Sequence, residues 1–249
     1  VPTLLLVRHG RSTANTAGVL AGWTPDVHLD ETGRGQAQAL ARRLAPLTVA
    51  SFVVSPLERC QETAGELRSV DGPAGPRPEL LTDDRLGECK YGDWTGKAIK
   101  DLAKEPLWRT VQSHPSAAVF PGPEGEGLAT MQHRAVEAIR EHDARVAAEH
   151  GEDAVWVAVT HGDVIKAILA DALGMHLDLF QRISADPCSV SVVRYAPLRP
   201  FVLRMNDSGG DLAGFAPLKK RTRRSAKRTG PHDAEASSDA VVGGSTGAA

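Results

Sequence analysis

The chain has 249 residues and a net charge of −2, with 41% hydrophobic and only 4% aromatic residues, so it is long enough for one large domain or two small ones built on Val, Leu, Ile and Ala. No apolar run reaches the roughly 20 residues of a membrane span. The start lacks a signal-peptide pattern, and three widely spaced cysteines, Cys60, Cys89 and Cys188, argue against a disulfide framework or a Cys-based metal site, so a cytoplasmic protein is expected.

Charge is unevenly spread. Residues 219–228 hold seven Lys or Arg in ten, whereas residues 1–218 carry a net −6. That excludes a globally basic nucleic-acid binder and leaves only weak polyanion contact through the tail.

In chain order, residues 3–7 form an apolar run expected to be a buried strand. Arg8-His9-Gly10 follows at its end, where α/β proteins place chemistry. Arg11, Ser12, Thr13 and Asn15 continue as a polar stretch suited to line a site, and residues 18–30, with Gly22 and Pro25, read as irregular. Thr32 is expected to cap an amphipathic helix whose buried face is Ala37, Leu40, Ala41 and Leu44. A second buried strand over 50–54 runs into Ser55-Pro56-Leu57-Glu58-Arg59. Ser55 as cap and Pro56 in the first turn would bring Arg59 near a helix N-terminus, with the helix continuing to about residue 70. Residues 71–78 read as a loop, and Leu80-Leu81 as a short strand.

Leu86 to Gly96 is punctuated by glycine and carries Glu88 among apolar neighbours. Residues 97–111 read as helical with a break near Pro106, and 114–127 as loop. A long helix over 128–150 is expected to bury Leu128, Met131, Ala135, Ala138, Ile139, His142 and Val146. Residues 155–159 form a third strand, after which Thr160-His161-Gly162 repeats the first strand-then-His-Gly pattern. An apolar helix follows, ended by Gly174, and two further strands are expected over 189–194 and 201–205. Strands alternating with helices imply an α/β fold with a largely parallel sheet.

These residues suit one chemistry. A phosphate monoester is dianionic, and arginine matches it with a planar, permanently charged fork of donors. A neutral imidazole at His9 can attack phosphorus. Arg8 and Arg59 hold the oxygens, His161 can carry positive charge beside them, and Glu88 can protonate the leaving oxygen. No metal or other cofactor is required.

The same residues carry a resemblance. Arg8-His9-Gly10 with Ser12, Thr13 and Asn15, Ser55 to Ala64, Leu86-Gly87-Glu88 before Tyr91-Gly92-Asp93-Trp94-Thr95-Gly96, and Thr160-His161-Gly162 are similar to the motifs of the histidine phosphatase (phosphoglycerate mutase-like) superfamily, over residues 3–205. The resemblance implies a three-layer α/β sandwich, a mostly parallel sheet with helices on both faces, and a lid inserted at about 97–127. It implies a phosphohistidine at His9, a proton donor at Glu88, phosphate ligands at Arg8, Arg59 and His161, and substrate contacts at Asn15, Gly22 and Gly162. The catalytic domain is expected over 1–215, followed by a disordered tail over 216–249.

Asp163 departs from the family pattern, where Gly or Asn is common; it could repel a second anion, orient His161 or cap its helix. Arg109 is the only arginine between Arg85 and Arg134. A mutase must grip two anionic groups, so a phosphatase of small phosphorylated metabolites is favoured over a mutase. A metallohydrolase using His9, His161, Asp163 and Glu88 is disfavoured because Arg8 and Arg59 would repel the ion. A phospho-ligand binder without turnover has no need of Glu88. Oligomeric state is open, a dimer being one arrangement.

Overall fold

A computed structural model describes residues 1–210 of the chain. The tail expected from residue 216, and the domain boundary at 215, lie outside the described residues.

Three apolar runs become parallel neighbours. Strands β1 (Thr3–Arg8), β2 (Val49–Val54), β3 (Leu80–Thr82) and β4 (Val155–Thr160) pair in parallel, and β5 (Val190–Tyr195) and β6 (Pro200–Asp207) add antiparallel at one edge. The six-stranded order is β3-β2-β4-β1-β5-β6. The central strands β1, β2 and β4 are buried on both sides because both faces there are covered. Leu4 and Leu6 of β1 point into one core with Met131, Ala135, Ile139, Val164 and Ile168. Leu5 and Val7 point into the other, with Ala37, Leu40, Ala41, Leu44, Ala64 and Leu67. The helices supplying these residues are α2 (Glu31–Leu44) and α3 (Glu58–Arg68) on one face, and α6 (Leu128–His150) and α7 (Gly162–Ala172) on the other. Each buried Leu, Ile or Val contributes about 1.5–3 kcal/mol. The two layers therefore fix the strand ends from which the loops depart.

Register then brings three corners together. Arg8 lies opposite Thr160, and Val54 opposite Val159. The His9 N–H donates to Thr160 O (3.0 Å) and the Ser55 N–H to Val159 O (3.0 Å). The ends of β1, β2 and β4 thus deliver His9, Ser55 and His161 to one edge of the sheet.

Two expected caps are corrected. Asp30, not Thr32, caps α2: its Oδ1 accepts the Gly33 N–H at 2.7 Å. A carboxylate is the stronger partner for a helix N-terminus. The hydroxyl of Thr32 instead accepts from Arg11 Nη2. Likewise α3 begins at Glu58, not at Pro56, and Leu57 occupies its cap without a side-chain bond. Ser55 Oγ lies 2.8 Å from His161 Nε2 and accepts the Leu57 N–H at 3.3 Å, which holds the bend that precedes the helix.

The stretch 97–127 contains two short helices, α4 (Ile99–Leu102) and α5 (Pro106–Ser113), with Pro106 opening the second, and a single 3₁₀ turn at Pro115–Ala117. A five-residue helix, α1 (Thr13–Ala17), follows the first His-Gly corner. Trp94 stacks on Trp108 at 6.2 Å between ring centroids, so both serve packing.

Candidate active site

The two His-Gly corners meet. The His9 and His161 rings lie 5.2 Å apart, edge to face. Arg8, Arg59 and Glu88 join them, and all five are buried: 0% exposed for Arg8 and His161, 2% for Arg59, 3% for His9 and Glu88. So many ionisable groups are not buried together unless they serve one another or a ligand.

Backbone acceptors set the form of His9. The Gly10 carbonyl oxygen can only accept, and it lies 2.7 Å from His9 Nδ1. Nδ1 therefore carries the proton, and Nε2 keeps its lone pair. Burial pushes the His9 imidazole well below the ordinary histidine value, and Arg59 and Arg8 push it further. It is a neutral imidazole. The corner itself is tight: a Cβ on Gly10 would meet Gly33 O at 2.6 Å. The Gly10 N–H donates to Thr63 Oγ1 on α3.

Arg59 reaches across from the first turn of α3. Its Nη2 donates to the Gly22 carbonyl (2.9 Å) and faces His161 Nδ1 at 3.2 Å. Gly22, with φ of 51°, is in the left-handed region that suits glycine, which aims its carbonyl at the guanidinium. Arg59 Nη1 is buried and finds no acceptor among the described residues. An unsatisfied buried guanidinium donor marks a place for an anion. Arg8 Nη1 donates to Ala185 O at 2.7 Å, which orients that side chain from β1.

His161 caps α7, and Gly162 opens that helix. Because Arg59 can only donate, Nδ1 of His161 is the acceptor and Nε2–H points to Ser55 Oγ. Burial, then Arg59, His9 and Arg8, push His161 well below the ordinary value. The His161 imidazole is therefore neutral beside these guanidiniums.

Glu88 is the opposite case. Burial raises its carboxyl to about 7, and Asp163 adds to the rise, against the Cys89 N–H, Arg59 and Arg8. It holds a proton near neutral pH, as a general acid must.

Arg134 was not found by sequence reading. From α6 it donates to the carbonyls of Arg85 (2.6 Å), Gly87 (2.9 Å) and Glu88 (3.0 Å), and pairs with Glu126 at 2.7 Å. Trp23 Nε1 also donates to Glu88 O at 2.6 Å. These bonds clamp the loop that presents Glu88. Lys166, on an otherwise apolar helix, was missed too; its Nζ lies 3.0 Å from Asp163 Oδ1. The cap of that helix is His161, not Asp163.

The Asn15 carbonyl oxygen accepts from the Ser12 N–H and hydroxyl, both at 3.0 Å, in a capping box for α1. Its visible contacts are those of a cap. Among the described residues no group of three or more His, Cys, Asp or Glu is arranged to hold a metal ion.

The family profile described as Histidine phosphatase superfamily (branch 1) matches residues 4–208. The chain belongs to that superfamily. It is 30% identical over 206 residues to a protein named phosphoserine phosphatase 1 from Hydrogenobacter thermophilus, covering 82% of this chain and 91% of that one. It is 33% identical over 181 residues to a 2,3-bisphosphoglycerate-dependent phosphoglycerate mutase from Brucella melitensis, covering 70% and 82%. Among solved structures it resembles Bacillus stearothermophilus YhfR, with a TM-score of 0.71, 28% identity and coverage of 83% and 98%. A mycobacterial glucosyl-3-phosphoglycerate phosphatase gives 0.70, 25%, 83% and 100%.

Proposed function

We propose that His9 is the phosphate-accepting nucleophile of a metal-independent phosphomonoesterase acting on small phosphorylated metabolites. The observation that carries this is a neutral, buried imidazole with its Nε2 lone pair available, set beside Arg8 and the unsatisfied Nη1 of Arg59. The guanidiniums receive the dianion, Nε2 forms a bond to phosphorus, and Glu88 gives its proton to the departing oxygen. Glu88 then takes a proton from the water that cleaves phosphohistidine. His161 steadies the phosphoryl oxygens in both steps. Gly22 acts through its carbonyl on Arg59, Gly162 offers a helix N-terminus, and Asn15 shapes the loop around the pocket.

Segment 97–127 serves as the lid. Its cations Lys97, Lys100, Lys104 and Arg109 are all exposed, which leaves them poorly placed to grip a second anionic group beside His9 and favours hydrolysis over a mutase reaction. The relatives named as mutases keep mutase transfer as the second reading; it requires a bisphosphorylated primer. Three buried free thiols suit a reducing compartment such as the cytoplasm. No described helix is long and apolar enough to cross a membrane.

A screen of phosphorylated metabolites, with His9→Ala as the blank, tests the reading. Phosphate release from at least one compound, abolished in the variant, supports it. Release that persists in the variant overturns it.

A further inference from the structure

The buried carboxylate of Asp163 is not used by the chemistry above. It sits in the first turn of α7, two residues after His161, and is 1% exposed. Tyr91 OH donates to its Oδ2 at 3.0 Å, and Lys166 Nζ to its Oδ1 at 3.0 Å. The Lys166 side chain is itself only 4% exposed and also donates to Gln181 Oε1. A buried lysine is costly unless it is paired, and Asp163 is its carboxylate partner.

Glu88 is the second carboxylate of this pocket. From its own loop, the Cys89 N–H donates to Oε1 at 3.0 Å, and the neutral Cys89 thiol and Tyr91 phenol lie nearby. Arg8 faces it from β1, Arg59 from α3 and Asp163 from α7; Arg134, from α6, donates to its carbonyl oxygen. Tyr91, three residues after Glu88, bonds to Asp163, which brings the two buried carboxylates into one pocket, and such a pair does not readily stay doubly ionised. The charge settles where the donors are stronger. Asp163 has a phenol and an ammonium; the carboxyl of Glu88 has one backbone N–H.

We propose that Asp163, clamped by Tyr91 and Lys166, is a positioning residue for the acid step: its fixed negative charge keeps the proton on Glu88 until the leaving oxygen takes it. As Nε2 of His9 bonds to phosphorus and the ester P–O bond breaks, that proton moves to the leaving oxygen and Glu88 becomes anionic. Beside Asp163 that anion is a strong base. It recovers a proton from the water whose oxygen attacks phosphorus as the P–Nε2 bond breaks and its electron pair returns to His9, so the proton count closes over one turnover. The role of Asp163 in turnover rests on the phosphatase reading; its effect on the Glu88 proton does not.

Two variants test it. Asp163→Asn keeps the shape and removes the charge. Asp163→Asn combined with Lys166→Met also removes the lysine that would be left unpaired, and so protects the fold. The protonated-carboxyl infrared band of Glu88, assigned by its loss in Glu88→Gln, is titrated in each. The parent band should disappear around pH 7, and in both variants its midpoint should fall by about one pH unit or more. The alkaline limb of kcat/KM for an alkyl phosphate should move with it, while kcat/KM for a nitrophenyl ester, whose departure needs no acid, should change little. A folded variant whose band midpoint stays at the parent value overturns the proposal. A parent that releases no phosphate, yet shows the band and its shift, refutes the phosphatase reading and leaves the role of Asp163 standing.

Discussion

Arg59 Nη2 faces His161 Nδ1 at 3.2 Å, so a guanidinium from α3 fixes the tautomer of an imidazole from the end of β4. The same nitrogen holds the Gly22 carbonyl, while Nη1 stays unsatisfied among the described residues. One side chain ties three segments together and turns a donor toward the pocket.

Arg59→Lys should therefore fail to rescue. A lysine keeps the charge but cannot bridge Gly22, His161 and an oxyanion with a planar fork. Steady-state assays should show kcat/KM reduced by about a hundredfold or more in both Arg59→Lys and Arg59→Ala. Near-parental activity in the lysine variant would show that charge alone suffices.

The pH profile follows from opposite shifts. His9 is held well below the ordinary histidine value, so it remains unprotonated and competent down into acid. Glu88 is raised to about 7, so it loses its proton as pH climbs through neutrality. Hence kcat/KM for alkyl phosphates should fall above about pH 7, while its acid limb lies well below 6.5. Glu88→Gln should abolish the alkaline limb and slow alkyl esters by about 10²–10⁴-fold. An unchanged limb in that variant would assign the proton to another group.

The same rise bears on stability. A carboxyl whose folded value exceeds its unfolded value favours the folded state most below the unfolded value, and that stabilisation is lost as pH rises through the folded value. For Glu88 the window runs from the ordinary carboxyl value of 4.5 to about 7. Glu88→Gln should remove this dependence, so the variant should gain melting temperature relative to the parent as pH is raised across that window. Parallel melting curves against pH in the two proteins would contradict it.

Arg134→Met should lower kcat without touching phosphate. It deprives the Arg85, Gly87 and Glu88 carbonyls of a shared donor and leaves the Glu126 carboxylate with the Lys90 N–H but without its ion pair. A stability loss of about 1–3 kcal/mol is expected from denaturant unfolding. If the loop holds its shape through Trp23 alone, kcat will match the parent.

Much of this was legible from local pattern. Apolar runs ending in His-Gly located both strand corners, and the α6 stripe from Leu128 to Val146 is buried as its spacing requires. Arg134, Lys166 and Tyr91 were not legible in their roles, because each acts through partners far away in sequence. Arg134 reaches back to Glu88, and Tyr91 forward to Asp163. Such contacts leave no periodic trace. The misplaced start of α3 has a local origin: Ser55 Oγ accepts the Leu57 N–H in the bend before the helix and also meets His161, a contact far away in sequence.

The most direct measurement traps the intermediate. Protein mixed with a labelled phosphomonoester under single-turnover conditions is quenched in alkaline detergent, digested and mapped. Phosphate should appear on His9 alone, stable to base and labile to acid, and should be absent from His9→Ala. Phosphate release with no labelled histidine at any time point, or label on another residue, would contradict a phosphohistidine at His9.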